Sequence, residues 1–567
     1  MIIGIDLGTT NSLVAAFDNE VTIIPNALGK MLTPSAISVD SGEIIVGEAA
    51  LQRLITHPEL TVINFKRLMG TDTITQLGAY KLRAEELSAF VLKRLKEDAE
   101  AYLQQPVTEA VISVPAYFSD AQRKATKLAG KLAGLKVERL INEPTAAGIA
   151  YGLHNQLDAA DEINYLIVDI GGGTFDVSVL NLFAGIIEVR ASGGDNYLGG
   201  VDFTAIIENI FIAAQQPDQA WQKIAELPKI KQRLKEEAER AKCVLSQQKN
   251  VTMQVDWQDQ TFNCLITQEV FEEQAEHLIE RLRQPIKKSL QDSKISPNDI
   301  HQIILVGGAS RMPAVKKLIA KMFGRFPHCY LDPDQVVVQG VAIQAGLKSR
   351  NKALEELVVT DVAPYSLGVE VTDDLPNGRM HTYFDPIIER NTIVPFSRSR
   401  IYHVKEQQRK VEVKIYQGES VNIEKNVFLG ELQIDLPAPY VVQEIDIRFT
   451  YDVNGLLEVE VTTRANQQKH TLIIEGNPGV LKSDEIENRL KLLAEIKMHP
   501  REKTENKLLL TKAERLFEEL QGDERLYLSR AIKDFIAVLE EQDIQKIAVA
   551  RKILIDLLDQ LNSNKVW

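Results

Sequence analysis

The chain has 567 residues, 44% of them hydrophobic and 25% charged, with a formal net charge of −14. That length exceeds what one hydrophobic core organises, so several domains of about 100–200 residues each are expected. The acidic balance disfavours a nucleic-acid partner, which needs a clustered basic face, and the short basic run Arg398–Arg400 reads as solvated surface.

Cys243, Cys264 and Cys329 form no C-x-x-C pair, which excludes a zinc ribbon and a disulfide framework and fits a reducing cytoplasm. Met-Ile-Ile-Gly-Ile-Asp opens directly as a strand, so no signal peptide is expected. No apolar run reaches the roughly 18 residues of a spanning helix, so no membrane insertion is expected either.

Across 1–352, strand patterns such as Ile2–Leu7, Ala110–Val114, Tyr165–Ile170 and Ile303–Val306 alternate with helical ones at Leu92–Leu103 and Lys124–Ala133, the rhythm of α/β layers. Residues 353–361 form a linker whose apolar Leu357, Val358 and Val359 predict docking rather than solvation. From 362 to 478 strict alternation takes over, as in Val411, Val413 and Ile415, with Asn454-Gly455 as a hairpin turn, predicting antiparallel strands. From 479 to 567 the period becomes helical: Ser483 is an N-cap candidate ahead of Ile486, Leu490 and Leu493, Pro500 interrupts, and further helices are predicted over about 501–520, 524–541 and 543–562.

Two segments look like copies of one device: Ile5-Asp6-Leu7-Gly8-Thr9-Thr10-Asn11-Ser12 and Val168-Asp169-Ile170-Gly171-Gly172-Gly173-Thr174-Phe175-Asp176. Each reads as strand, aspartate, tight Gly/Thr turn, strand. Turns without bulky Cβ groups bring backbone N–H and hydroxyl groups against phosphate oxygens. A carboxylate there would repel phosphate unless a cation lay between, so Asp6 and Asp169 are expected to hold a hydrated Mg²⁺. No G-x-x-x-x-G-K-[ST] occurs, which excludes a P-loop. A third glycine pair, in Leu305-Val306-Gly307-Gly308-Ala309-Ser310-Arg311-Met312-Pro313, closes another strand and could pack on adenine and ribose.

Together with Val114-Pro115-Ala116-Tyr117-Phe118, Asn142-Glu143-Pro144-Thr145-Ala146-Ala147 and Leu198-Gly199-Gly200, these segments resemble the DnaK-type seventy-kilodalton heat-shock chaperones, and the short helical tail looks most like the HscC branch. The resemblance implies a two-lobed, actin/hexokinase-like α/β ATPase domain, an antiparallel β-sandwich that binds peptide, and a short α-helical lid. By that resemblance Thr9, Thr10 and Asn11 contact the phosphates opposite Gly171, Gly172, Gly173 and Thr174, with Gly199 and Gly200 beside them. Lys66 corresponds to the catalytic lysine, Glu143 and Asp176 orient the attacking water with Thr174 nearby, and Glu239, Lys242, Ser246, Gly307, Gly308, Arg311 and Asp334 surround the adenosine. Outside the resemblance, Lys66 is a surface lysine and Glu239/Lys242 an exposed i,i+3 pair.

The resemblance further implies ATP/ADP and Mg²⁺, with K⁺ as an additional ion, extended client polypeptides, and a J-domain co-chaperone. Val369, Val371, Tyr402, Val411 and Val413 would line the peptide channel, while Pro115, Arg123, Leu357 and Val358 would couple the sites. Thr372 and Lys405 replace the usual Met/Ala arch, the segment between Lys66 and the helix starting near Leu82 is abbreviated, and Val201 stands where the family has an acid, which leaves the need for an exchange factor open. A non-cycling holdase or exchange cofactor of the same lineage, and an actin- or sugar-kinase-type phosphotransferase, are the alternatives.

Overall fold

The computed structural model of the chain describes residues 1–40, 42–154, 162–183, 186–258, 260–327, 330–349, 354, 358–374, 380–404, 408–436, 443–452, 457–474, 504–520, 522–541 and 544–563. The Asn454-Gly455 turn, the helix expected from Ser483, Leu357 and Lys405 lie outside them.

Two twisted sheets organise the N-terminal half. In the first, strand Ile2–Asp6 runs parallel to Glu109–Val114 and antiparallel to Asn11–Asp18. In the second, Ile163–Ile170 pairs antiparallel with Phe175–Phe183 and parallel with Gln302–Val306. Their central strands read as continuous apolar runs, as strands covered on both faces by helices do. Helices Glu143–His154 and Val336–Lys348 lie between the sheets, and Leu13, Ala146, Ile167, Leu180 and Val341 belong to one apolar core there. The sheets are thus joined at a common base, leaving a cleft between their strand ends.

The second sheet does not stop at Ile186–Asp195. Strand Val358–Val362 adds to it in parallel, pairing Ile186 with Val358 and Glu188 with Thr360, and at its other end pairs antiparallel with Ile393–Val394. Ile393–Val394 leads straight into strand Phe396–Val404 of a β-sandwich, so the linker is a structural strand between cleft and sandwich. The sandwich stacks the sheet around Leu367–Asp374 and Lys410–Gln417 on the sheet around Gln443–Tyr451 and Leu457–Thr463. Val369, Ile415, Ile447, Phe449, Val459 and Val461 share its core, as the alternation requires. Helices Thr504–Glu519, Gly522–Glu541 and Ile544–Ser563 bury Leu516, Leu528, Phe535, Leu539, Leu554 and Leu558 against one another, and Arg398 of the sandwich donates to the Glu541 carbonyl at 2.6 Å.

Polar contacts fix the sandwich on the N-terminal half. Arg390 reaches Asp292 through Nε and Nη2, each at 2.9 Å, while its Nη1 takes Glu419 at 2.6 Å. The Tyr365 hydroxyl donates to the Tyr117 carbonyl at 2.7 Å with ring centroids 4.6 Å apart. Asn142 donates to both Asp361 oxygens at 3.0 Å.

Candidate active site

The cleft is a cavity of about 540 Å³ lined from the first sheet's side by Asp6, Thr9, Thr10, Asn11, Lys66 and Glu143, and from the other by Asp169, Gly171, Gly172, Thr174, Gly200, Glu239, Lys242, Ser246, Gly307, Gly308, Arg311 and Asp334. Residues scattered over more than half the chain therefore converge. Gly173, Gly199 and Asp176 are not on the wall: Gly199 rests on the Gly173 backbone, and Asp176 is buried behind the second turn.

Each Gly/Thr turn closes an antiparallel strand pair that puts its aspartate at the cleft end of the first strand, Asp6 opposite Leu13 and Asp169 opposite Asp176. A Cβ added at Gly8 would lie 2.0 Å from the Asn11 carbonyl oxygen, and one at Gly172 would lie 2.1 Å from Thr10 Oγ1. The first turn is thus tight enough to need glycine, and the two turns face each other so closely that a side chain at Gly172 would strike Thr10.

Charge explains the floor of the cleft. Lys66 is buried, its Nζ 2.8 Å from Glu143 Oε1 and 5.6 Å from the centre of the Phe118 ring. Asp6 accepts from Ser113 Oγ at 2.6 Å, yet burial, and then Glu143, push its carboxyl up to about 6. Burial, followed by Glu143, Asp176 and Asp6, holds Asp169 well above the usual carboxylate range. Burial and Glu143 push Asp176 up to about 8 although the Tyr117 N–H donates to it at 3.1 Å. Four carboxylates around one ammonium leave an excess of negative charge in a dry place, which a divalent cation would relieve. Among the described residues no group of three His, Cys, Asp or Glu side chains is placed to ligate a metal directly, so the carboxylates fit magnesium only through its waters, and the bare turns fit a polyphosphate.

On the other side Lys242 donates to the Gly200 carbonyl and to Thr204 Oγ1, both at 2.9 Å, and pairs with Glu239 at 2.6 Å. Ser246 Oγ donates to the Lys242 carbonyl at 3.1 Å, and Arg311 spans Asp332 at 2.9 Å and Asp334 at 2.7 Å. Arg123 donates to the Ala116 and Phe118 carbonyls and to Asn142, bracing the turn that follows Pro115.

The sandwich residues divide. Val369 and Val413 are sealed in the core, whereas Val371, Tyr402 and Val411 are half-buried at its margin. Thr372 is exposed and shares a hydrogen bond with Thr382 at 3.1 Å, and the Tyr402 hydroxyl donates to Asp385, which also takes Arg400. Val358 lies on the linker strand. Sequence reasoning missed Ser113, Tyr365, Arg67 and Asp202; only Arg67 carried a local sign, its place beside Lys66.

A stability prediction follows from Asp176. Its folded-state pKa lies above the unfolded one, so the folded chain loses stability as pH rises from about 4 to about 8, where only the unfolded state ionises freely. Asp176→Asn is expected to raise the melting temperature in EDTA more at pH 8 than at pH 5; an equal gain at both would remove the burial account.

A model of the Hsp70 protein family matches residues 2–77 and 72–558 of the chain. The chain is 40% identical over 505 residues to the "Chaperone protein DnaK" of Thermotoga petrophila, and equally to that of Thermotoga maritima, covering 86% of this chain and 83% of each relative. The protein of that name from Thermotoga neapolitana is 40% identical over 498 residues, covering 85% of this chain and 82% of its own length.

Proposed function

The chain belongs to the Hsp70 protein family, and on that premise we propose that it is an ATP-dependent chaperone in which hydrolysis in the cleft switches the hold of the β-sandwich on extended apolar segments of unfolded proteins. The observation that carries the reading is the linker strand Val358–Val362, hydrogen-bonded at one end to the sheet that bears Asp169 and at the other to the strand that enters the sandwich. A movement of either body would be felt along this strand as well as through the side-chain contacts between them.

Bound magnesium nucleotide supplies the transferable phosphoryl group and the charge that offsets the carboxylates. Asp6 and Asp169 would hold the ion through its waters. The turns of Thr9, Thr10 and Asn11 and of Gly171, Gly172, Gly173 and Thr174 would grip phosphate oxygens, with Gly199 buttressing the second. The Lys66 ammonium, kept in place by Glu143, would stabilise charge developing on the transferring group. Asp176 would accept from the attacking water once its Tyr117 contact loosens, and Glu239, Lys242, Ser246, Gly307, Gly308, Arg311 and Asp334 would enclose the adenosine.

In the sandwich, Val371, Tyr402 and Val411 offer the half-open apolar edge along which an extended peptide would lie, with strand hydrogen bonds giving sequence tolerance. Val369 and Val413 would support it from the core. A J-domain partner, a cytoplasmic location and a lid that covers peptide incompletely complete the proposal; no described helix is long and apolar enough to cross a membrane. The test is release of a fluorescent extended peptide from the full chain. Adding Mg-ATP is expected to accelerate release over ADP at least severalfold, and equal rates in both nucleotides would refute the switch.

A further inference from the structure

The inward-facing positions on the outer strands of the sandwich do not stay apolar. Met380–Ile388 is the outer strand of one sheet and Phe396–Val404 that of the other. Directly paired residues of antiparallel strands point to the same face. Asp385, opposite the sealed Val369, and Arg400 and Tyr402, opposite the core residues Ile447 and Ile445, therefore all face the space between the sheets. Along the first strand this stripe passes from buried Ile387 to half-buried Asp385, and along the second from buried Val404 to half-buried Tyr402 and Arg400. Tyr402 belongs to the half-open margin, and Val371 lies two residues along from Val369 on the same face. At this point Asp385 takes Arg400 Nη1 on one oxygen at 2.6 Å and the Tyr402 hydroxyl on the other at 2.7 Å.

A charged pair is a liability on a margin that holds only aliphatic side chains. A Leu laid over it would strip water from the remaining N–H groups of Arg400, whose side chain is 41% exposed, and from the remaining lone pairs of Asp385, and would offer no hydrogen bond in exchange. The charges of the pair offset each other, so a client carboxylate would meet Asp385 and a client ammonium would meet Arg400 at similar range. Arg398, the previous position on that face, is already taken by the Glu541 carbonyl. What the pair presents is a donor beside an acceptor, and its neutral complement is a side-chain carboxamide, an acceptor beside a donor. We propose that Asp385 and Arg400 form a subsite for an Asn or Gln side chain of the bound segment, with Tyr402 as the positioning residue that holds the carboxylate. The clients are then extended apolar segments interrupted by a carboxamide, not continuous apolar runs. The inference rests on the peptide-binding reading of the sandwich and names a specificity within it.

The test is fluorescence anisotropy of the full chain in ADP with labelled extended peptides that share one apolar host sequence and carry Gln, Leu, Glu or Lys at a single central position. The Gln guest is expected to bind about tenfold tighter than the Leu guest, the size of hydrogen bonds made in one case and left unmade in the other. In Asp385→Val combined with Arg400→Met the order should reverse, with Leu the tighter guest. Arg400→Met alone, at the more exposed position, should bring the two guests to parity and serves where the double variant does not fold. Variants that weaken all four guests by one common factor would show that the pair only ties the two sheets together, and would overturn the subsite. A Leu guest that matches Gln in the unaltered chain, or a Glu or Lys guest that outbinds it, would overturn it too. Failure of the unaltered chain to bind any of the four peptides would overturn the peptide-binding reading itself, and the subsite with it.

Discussion

Lys66→Ala is expected to lower ATP turnover by about 10²–10³-fold, the loss seen when a preorganised group facing developing charge is removed. The geometry leaves Lys66 few alternatives. It sits in a short turn whose preceding residue, Asn64, adopts a left-handed conformation (φ 59°), so the backbone aims the side chain inward. The Glu143 carboxylate and the Phe118 ring then fix its ammonium on the cleft wall. Nucleotide affinity should change far less, because the grip on phosphates comes from the two glycine turns. The change also leaves Glu143 without its buried partner, which costs about 3–5 kcal/mol, so the melting temperature should fall while labelled ADP still binds. Single-turnover hydrolysis checks this, and a rate within a few-fold of the unaltered chain would remove Lys66 from the chemistry.

The second large effect concerns docking. Arg390→Glu is expected to reduce the peptide stimulation of ATP turnover about tenfold, and adding Asp292→Arg should restore part of it, since Glu419 still faces the new carboxylate. Arg390 grips Asp292 with two nitrogens and Glu419 with a third, charge-assisted bonds that are among the stronger polar contacts a surface can make. Reversing the charge turns attraction into repulsion and moves the docked–undocked equilibrium by the lost difference. Basal turnover should rise towards the stimulated level. Docking places Tyr365 on the Tyr117 carbonyl, and the Tyr117 N–H in turn donates to the Asp176 carboxylate behind the second turn. Undocking would free it. A stimulation ratio that is unchanged in Arg390→Glu, or that the second substitution does not repair even in part, would break this link.

Much of this was legible in the chain because it is written locally. The paired Asp-x-Gly and Asp-x-Gly-Gly turns announce themselves through residue types that only tight turns need, and the last three helices through apolar spacing. The contacts that join the bodies are not local. Arg67 and Asp202, Tyr117 and Tyr365, and Asp292 and Arg390 are distant in sequence, and no periodicity marks such pairs. Strand alternation also has a fixed reach. Val369 and Val371 share one face of their strand, as do Val411 and Val413, yet one of each pair is sealed and the other half-open. Alternation names the face that points inward, but where along the strand the opposite sheet ceases to cover it depends on how the two sheets stack. Asp176 shows the same limit: its place in the duplicated motif suggests the cleft, whereas strand pairing with Asp169 puts the two carboxylates on neighbouring strands and buries the second behind the turn.

The measurement that bears most directly on the account is steady-state ATP turnover of the full chain with and without a saturating extended apolar peptide. Magnesium-dependent turnover that rises severalfold with peptide is predicted; turnover indifferent to peptide, or turnover that requires a sugar acceptor, would contradict it.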